Sequence, residues 1–191
     1  MRLRQTPSQT VGPFFSRALL HEGWNDLTTR GAAGQIIVVS GCVFDGDGAP
    51  VPDALLEIWQ ANAAGGYDHP DDTRDMPLDS RFSGFGRAGT DAQGRFRFRT
   101  IKPGPVPGAE GSMQAPHINA SVFARGLLKR LVTRIYFPDE PLNAHDPVLT
   151  ALPDAARRAT LIAQPGEGES ELDLHFDIVL QGNHETVFFD I

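Results

Sequence analysis

The stretch Arg95-Phe-Arg-Phe-Arg99 alternates charged and apolar residues with a period of two. Because successive side chains of a β-strand point to opposite faces, this pattern predicts a strand with one face buried and the other exposed. The chain continues into Thr100-Ile-Lys-Pro-Gly-Pro-Val-Pro107, where proline and glycine interrupt regular structure. The segment therefore predicts a half-buried strand that runs directly into a constrained loop.

Similar short apolar runs, rich in Val, Ile, Leu and Phe, lie on both sides of this strand. Together with it they form eight predicted segments: 35–44, 54–61, 95–99, 117–125, 131–137, 160–163, 172–180 and 186–191. Turn signals such as Asp45-Gly-Asp-Gly48 and Gly166-Glu-Gly-Glu169 separate them, and only 154–158 suggests a short helical turn. About eight short strands with almost no helix predict an all-β fold, specifically a β-sandwich with long loops.

The predicted strands occupy one part of the chain. Residues 1–33 contain Pro and Gly at close intervals, which predicts an irregular N-terminal arm, expected to pack on a partner subunit. Residues 34–191 are predicted to form one domain, since 191 residues suffice for a single well-buried core. Within it, 62–85 reads as a long loop, and loops of this length in compact domains are usually functional or disordered.

Composition excludes several classes of function. The formal net charge of −7, with no compensating basic patch, argues against a nucleic-acid partner. No apolar run approaches the roughly 20 residues that a membrane-spanning helix needs, and the N-terminus has no apolar core typical of a signal peptide. Cys42 is the only cysteine, so no internal disulfide is possible. These features predict a cytoplasmic protein without a membrane partner.

A second motif, Ala115-Pro-His-Ile-Asn-Ala-Ser-Val-Phe123, completes a pattern begun by 100–107. The two stretches resemble the intradiol ring-cleaving dioxygenases, non-haem iron(III) enzymes that open catechol rings between the two hydroxyl-bearing carbons. The similarity extends over nearly the whole chain and includes 5–13, 56–61, 134–137 and 185–191. In these motifs the chain is similar to the α chains of the heteromeric members of the family that act on protocatechuate.

The positions of the four iron ligands in such enzymes carry unusual residues here. The resemblance places Arg74 and Val106 where iron-bearing members have tyrosines, and Asn119 where they have the second His of His-x-His. Only His117 keeps a ligand-type side chain. Valine has no lone pair, arginine stays protonated and an asparagine amide is a weak donor, so one imidazole remains for a hard cation. The resemblance therefore implies a chain without a metal site of its own.

The resemblance also implies a function. An α chain of this type pairs with an iron-bearing β subunit of the same fold and lends residues to the β subunit's site, which holds the non-haem Fe(III). The enzyme converts protocatechuate and O2 to 3-carboxy-cis,cis-muconate, a step of the β-ketoadipate pathway. We expect a large apolar interface, a high-order assembly of αβ pairs, and no activity of the isolated chain.

Two sets of residues are candidates for substrate contact. If 131–137 is a strand, Arg134 and Tyr136 share a face, and Arg134 could pair with the ring carboxylate as a catalytic and substrate-binding residue. Thr10, Gly12 and Pro13 form the second set, because Gly permits close approach and Pro fixes the backbone around a hydroxyl and carbonyls. The resemblance places both sets at the shared site. His117, a single His on an apolar strand, is predicted to be a hydrogen-bonded core residue.

Two other interpretations stay open on the sequence. One is a scaffold subunit that stabilises its partner and contributes no residue to the site. The other is a self-sufficient dioxygenase with a different metal site, built on His69 with Asp71 or Asp72, as in carboxylate–histidine iron centres.

Overall fold

The computed structural model describes residues 6–12, 15–166 and 172–190 of the chain. In these residues it contains eleven strands: β1 (Ile36–Phe44), β2 (Leu55–Trp59), β3 (Phe85–Gly89), β4 (Arg95–Ile101), β5 (Val106–Pro107), β6 (Met113–Gln114), β7 (His117–Phe123), β8 (Leu131–Tyr136), β9 (Gln164–Pro165), β10 (Leu172–His175) and β11 (Ile178–Val179). Three short α-helices accompany them, namely α1 (Phe15–Leu19), α2 (Pro147–Thr150) and α3 (Ala155–Ala159). Two 3-10 turns cover Ala109–Gly111 and Pro141–His145.

The strands form two main sheets. In the first, β1 pairs antiparallel with β4 on one side and parallel with β10 and then β11 on the other. The second sheet is antiparallel in the order β3-β2-β7-β8. A small ribbon of β5 and β6 lies outside both sheets and carries Val106.

The hydrophobic core lies between the two sheets. Phe96 and Phe98 of β4 are buried, at 4% and 1% exposure, whereas Arg95 and Arg97 between them are exposed. The two phenylalanines belong to one cluster with Ile58 of β2, in the facing sheet. The alternation in the opening stretch is thus confirmed, as is the prediction of an all-β sandwich.

The predicted strand 172–180 is divided into β10 and β11. Between them the Phe176 amide donates to the Ser40 carbonyl at 2.8 Å, and the Asp177 carboxylate accepts from the Cys42 amide at 2.8 Å. A Cβ at Gly41 would stand 1.9 Å from the Phe176 carbonyl oxygen. Gly41 therefore allows a backbone approach that any larger residue would block, and the ladder breaks at this point.

Other predicted segments differ from the structure in detail. The segments 160–163 and 186–191 make only isolated bridges to β8, through Ile162 and Phe189 in the described residues. Strand β3 was not predicted, because Gly86 and Gly89 give it a low β-propensity. It exists because it pairs with β2 along its whole length. The helical turn predicted at 154–158 is confirmed as α3, which Asp154 caps.

The N-terminal arm is more ordered than the sequence predicted. Helix α1 lies within it, and the Leu27 amide donates to the Arg99 carbonyl at 2.8 Å, so Leu27 joins the core of the sandwich. Apart from α1 and an isolated bridge at Asp26, the described residues of 1–33 form no helix or strand, as the sequence predicted, and contacts with β4 hold the second half of the arm in place. Packing of the remaining arm on a partner stays a prediction. None of the helices in the described ranges has the length and apolar character needed to cross a membrane.

Candidate functional site

One end of the second sheet forms a cavity of about 470 Å³ together with the long loop after β2 and the β5–β6 ribbon. It is lined by Arg74, Val106, His117, Asn119 and Arg134, among others, and is called the His117 cavity below. These are the four positions that the family resemblance singled out, plus the leading substrate-contact candidate. Residues that are up to 60 positions apart in sequence thus converge on one small volume.

Strand register explains this convergence. His117 and Asn119 are two residues apart on β7, so their side chains point to the same face. Asn119 pairs with Arg134 on one side and with Trp59 on the other, and His117 pairs with Tyr136. Strands β7 and β8 therefore place an imidazole, an amide and a guanidinium side by side, and β2 adds the Trp59 indole.

His117 is a buried, neutral imidazole. It is 4% exposed, and its Nδ1 lies 2.8 Å from the Ala115 carbonyl oxygen, which can only accept a hydrogen bond. Nδ1 therefore carries the proton and Nε2 keeps its lone pair. Burial, reinforced by the nearby positive charge of Arg134, lowers the pKa of His117 to about 4. The ring accordingly stays uncharged at neutral pH.

Arg74 is held by Asp72 in a two-point ion pair. Its Nε donates to Asp72 Oδ1 at 2.7 Å and its Nη2 to Asp72 Oδ2 at 2.6 Å, while Nη2 also donates to the Gly65 carbonyl at 2.9 Å. The hydrogen bonds from Arg74 hold the pKa of the Asp72 carboxyl well below its usual range. Arg74 Nη1 is buried and has no hydrogen-bond partner in the described chain.

These residues do not fit a ferric ion. Val106 offers no donor atom, the Arg74 guanidinium is cationic, and Asn119 provides at most an amide oxygen. Within residues 6–12, 15–166 and 172–190, no three His, Cys, Asp or Glu side chains come together as a metal site requires. The structure does not favour the alternative metal site built on His69. The Asp72 carboxylate is paired with Arg74, and Asp71 is 93% exposed.

Arg134 belongs to a buried polar network. Its Nη1 donates to Gln114 Oε1 at 2.6 Å and to the Tyr136 hydroxyl at 3.2 Å, and this hydroxyl donates to Asp146 Oδ1 at 3.2 Å. Burial raises the pKa of Tyr136 far above its ordinary value. The shared face of Arg134 and Tyr136 was predicted from the sequence. Gln114 and Asp146 were not, because their contribution depends on loops that the strand pattern does not place.

The cavity also has an aromatic wall that the sequence did not indicate. The rings of Trp59 and Tyr67 stack with centroids 5.7 Å apart and an interplanar angle of 17°. Burial raises the pKa of Tyr67, and the charges of Arg134 and Arg74 oppose that shift, so both guanidinium groups lie near this phenol. Only Tyr67 lies in the 62–85 loop, and the length of that loop indicated a functional or disordered segment without identifying its residues.

The structure does not bring the second candidate set to this cavity. The Thr10 hydroxyl accepts from the Gly126 amide at 2.7 Å, and the Phe15 ring lies 5.4 Å from that of Phe123. Phe123 is four residues along β7 from Asn119, roughly 13 Å away. Residues 6–12, called the Thr10 segment below, therefore lie toward the opposite end of β7 from the His117 cavity. Pro13 falls outside the described residues.

Comparison with known proteins agrees with this geometry. A family model described as "Dioxygenase" matches residues 11–182. The protocatechuate 3,4-dioxygenase alpha chain of Burkholderia cepacia is 44% identical over 205 aligned positions, which cover 99% of this chain and 98% of that one. The beta chain of the same enzyme from the same organism is 46% identical over 159 positions, covering 80% of this chain and 67% of its own length.

A solved structure supports the same assignment. The dioxygenase domain of a dioxygenase–carbohydrate-binding fusion protein from Streptomyces sp. SirexAA-E superposes with a TM-score of 0.63 at 32% sequence identity. The match covers 94% of this chain and 99% of that domain. With a matched family model, full-length relatives and a shared fold, the chain belongs to the intradiol dioxygenases, a family of non-haem iron enzymes.

Proposed function

We propose that this chain is the α subunit of a heteromeric protocatechuate 3,4-dioxygenase, an oxidoreductase that cleaves protocatechuate with O2 to 3-carboxy-cis,cis-muconate. The observation that carries the proposal is the His117 cavity. It is lined by all four positions that the family resemblance assigns to iron ligands, and only one of the four, His117, carries a ligand-type side chain. The non-haem Fe(III) of the enzyme then belongs to a β partner of the same fold.

Sequence identity alone would not separate the two subunit types. The beta chain relative is as similar as the alpha chain relative over the part that aligns, at 46% against 44%. The donor atoms make the distinction, because Arg74, Val106 and Asn119 cannot replace phenolates and an imidazole. Alignment of nearly the full length of both chains favours the alpha type as well.

The Thr10 segment supports a shared site. Thr10 and Gly12 lie exposed and remote from the His117 cavity, so they can contact substrate only in a pocket that another chain provides. A Cβ built at Gly12 meets nothing within 4 Å in this chain. No contact within the described chain therefore requires a glycine at this position. We propose Thr10, Gly12 and Pro13 as the residues lent to the partner's pocket.

The decisive experiment measures iron in the purified chain alone and in the assembly formed with a β partner. The expected result is no stoichiometric iron and no turnover for the chain alone, with both recovered on assembly. Near-stoichiometric iron in the isolated chain, with the red colour of tyrosinate-to-iron charge transfer, would overturn the proposal.

The role of Arg134 at the partner's site stays a prediction. Replacing Arg134 with Lys keeps the charge but removes the planar fork, so we expect KM to rise or kcat to fall at least several-fold in the assembly. Unchanged kinetics would remove Arg134 from the partner's site. If Thr10 variants were also without effect at constant assembly, the scaffold interpretation would replace that of a shared site.

A further inference from the structure

We propose that the His117 cavity is itself a binding site for a small aromatic carboxylate that is held without a metal. This goes beyond the proposed function, in which substrate binds only at the partner's iron. The volume of about 470 Å³ lies within the range of small-molecule sites, about 300–1,000 Å³. The cavity is open to solvent, and its lining includes polar side chains although three of the four family ligand positions carry no ligand-type residue.

The arrangement of charges in the cavity favours an anion at Arg134. Of the four charged residues that line it, Arg74 is neutralised by Asp72 at 2.6 Å, and Asp71 is 93% exposed and lies 3.6 Å from His69. Arg134 forms no ion pair with any carboxylate of the described chain, and its Nη1 is engaged only with the neutral groups of Gln114 and Tyr136. His117 is neutral, so it neither repels nor replaces an anionic ligand. The part-buried guanidinium of Arg134 therefore lacks the bidentate carboxylate partner that its geometry suits.

The lining also favours an aromatic ring. Trp59 and Tyr67 present a stacked pair of rings, and the His69 ring meets that of Trp59 edge-on with centroids 6.1 Å apart. Val106 contributes an apolar side chain where a polar one would be needed for a metal. A benzoate-type ligand would place its ring against this wall and its carboxylate at Arg134, so that both halves of the molecule find matching groups.

The proposal is tested by fluorine NMR with 4-fluorobenzoate on the αβ assembly. A ligand in the partner's pocket is broadened by the paramagnetic iron, whereas a ligand in the His117 cavity gives a separate, narrower bound signal. We expect one such signal per αβ pair. A titration that yields only the iron-broadened site would overturn the proposal.

Two variants identify the site. Arg134→Met should weaken the iron-independent site at least about tenfold, the loss expected for a charge-assisted hydrogen bond, and Arg134→Lys should weaken it less. The matched control is Arg97→Met, which removes an exposed arginine of β4 in the other sheet and should leave both sites intact. Retention of the narrow signal in Arg134→Met would contradict the assignment.

A further probe keeps the test independent of protein variants. 4-Fluorobenzamide has the same ring but no negative charge, so it should leave the iron-independent site of the unmodified protein empty. Binding equal to that of 4-fluorobenzoate would overturn the charge argument. If the chain fails to assemble with a β partner, the proposed function is at fault, and the same titration on the chain alone should still show one site.

Discussion

The two ends of strand β7 differ in how they are built. At the His117 end, side chains from β2, β7, β8 and the long loop surround a cavity. Hydrogen bonds connect Arg74 to Asp72, and they connect Arg134 through the Tyr136 hydroxyl to Asp146. At the Phe123 end, the Thr10 segment is exposed and is attached through the hydrogen bond from the Gly126 amide to Thr10. Roughly 20 Å of strand separates them.

This difference separates residues that stabilise the chain from residues that remain available to another molecule. At the His117 end, Asp72 binds Arg74, and the buried Asp146 accepts four hydrogen bonds, so this end contributes stability. At the Phe123 end, few internal contacts depend on the Thr10 segment, so its residues are free to serve a partner. Substitutions at the two ends should therefore change different quantities.

The largest effect on stability is expected for Asp146→Ala at the His117 end. Asp146 is buried and accepts from the amides of Ala115, Val148 and Leu149 and from the Tyr136 hydroxyl. Leaving these donors unsatisfied should lower the free energy of unfolding by about 3 kcal/mol or more, as urea denaturation would measure.

Asp154→Ala is the matched control for this prediction. Asp154 caps α3 as Asp146 caps α2, but it is exposed, so its loss should cost only about 1 kcal/mol. Equal costs for the two substitutions would show that burial of the network contributes nothing.

A smaller effect, dependent on pH, is expected from His117. Its pKa in the folded chain is about 4, below the ordinary value of 6.5, so folding favours the neutral ring. The corresponding stability is complete above pH 6.5 and is lost as the pH falls towards 4, by on the order of 3 kcal/mol. In His117→Gln this part of the pH dependence should disappear from urea denaturation curves between pH 7 and 4. An unchanged slope would place the titrating group elsewhere.

The smallest effect on stability is expected at the Phe123 end, from Gly12→Val. A Cβ there meets nothing within 4 Å, so the free energy of unfolding should change by no more than about 0.5 kcal/mol. Turnover of the assembly should nevertheless fall sharply, because the valine would fill part of the partner's pocket. Gly12→Ala should give an intermediate loss, and a fully active Gly12→Val assembly would remove the Thr10 segment from the site.

The fold class and the family could be read from the sequence, and side-chain chemistry alone predicted that the chain does not hold iron. Alternation in 95–99 depends only on the two-residue period of a strand, and the inability of Val106 or Arg74 to bind iron depends only on side-chain chemistry. Both are local properties, and so they can be read without knowing the rest of the molecule.

Other features depend on contacts between residues that are distant in sequence, and local patterns do not contain them. Strand β3 forms because it pairs with β2, and 172–180 breaks because the backbone at Gly41 approaches Phe176. The register of β7 and β8 separates Arg134 from Thr10. Arg134 has no carboxylate partner in the described chain because Asp72 binds Arg74 and Asp146 binds the Tyr136 hydroxyl. Register, pairing and the sum of charges around a cavity are relations between distant residues, so only the folded chain determines them.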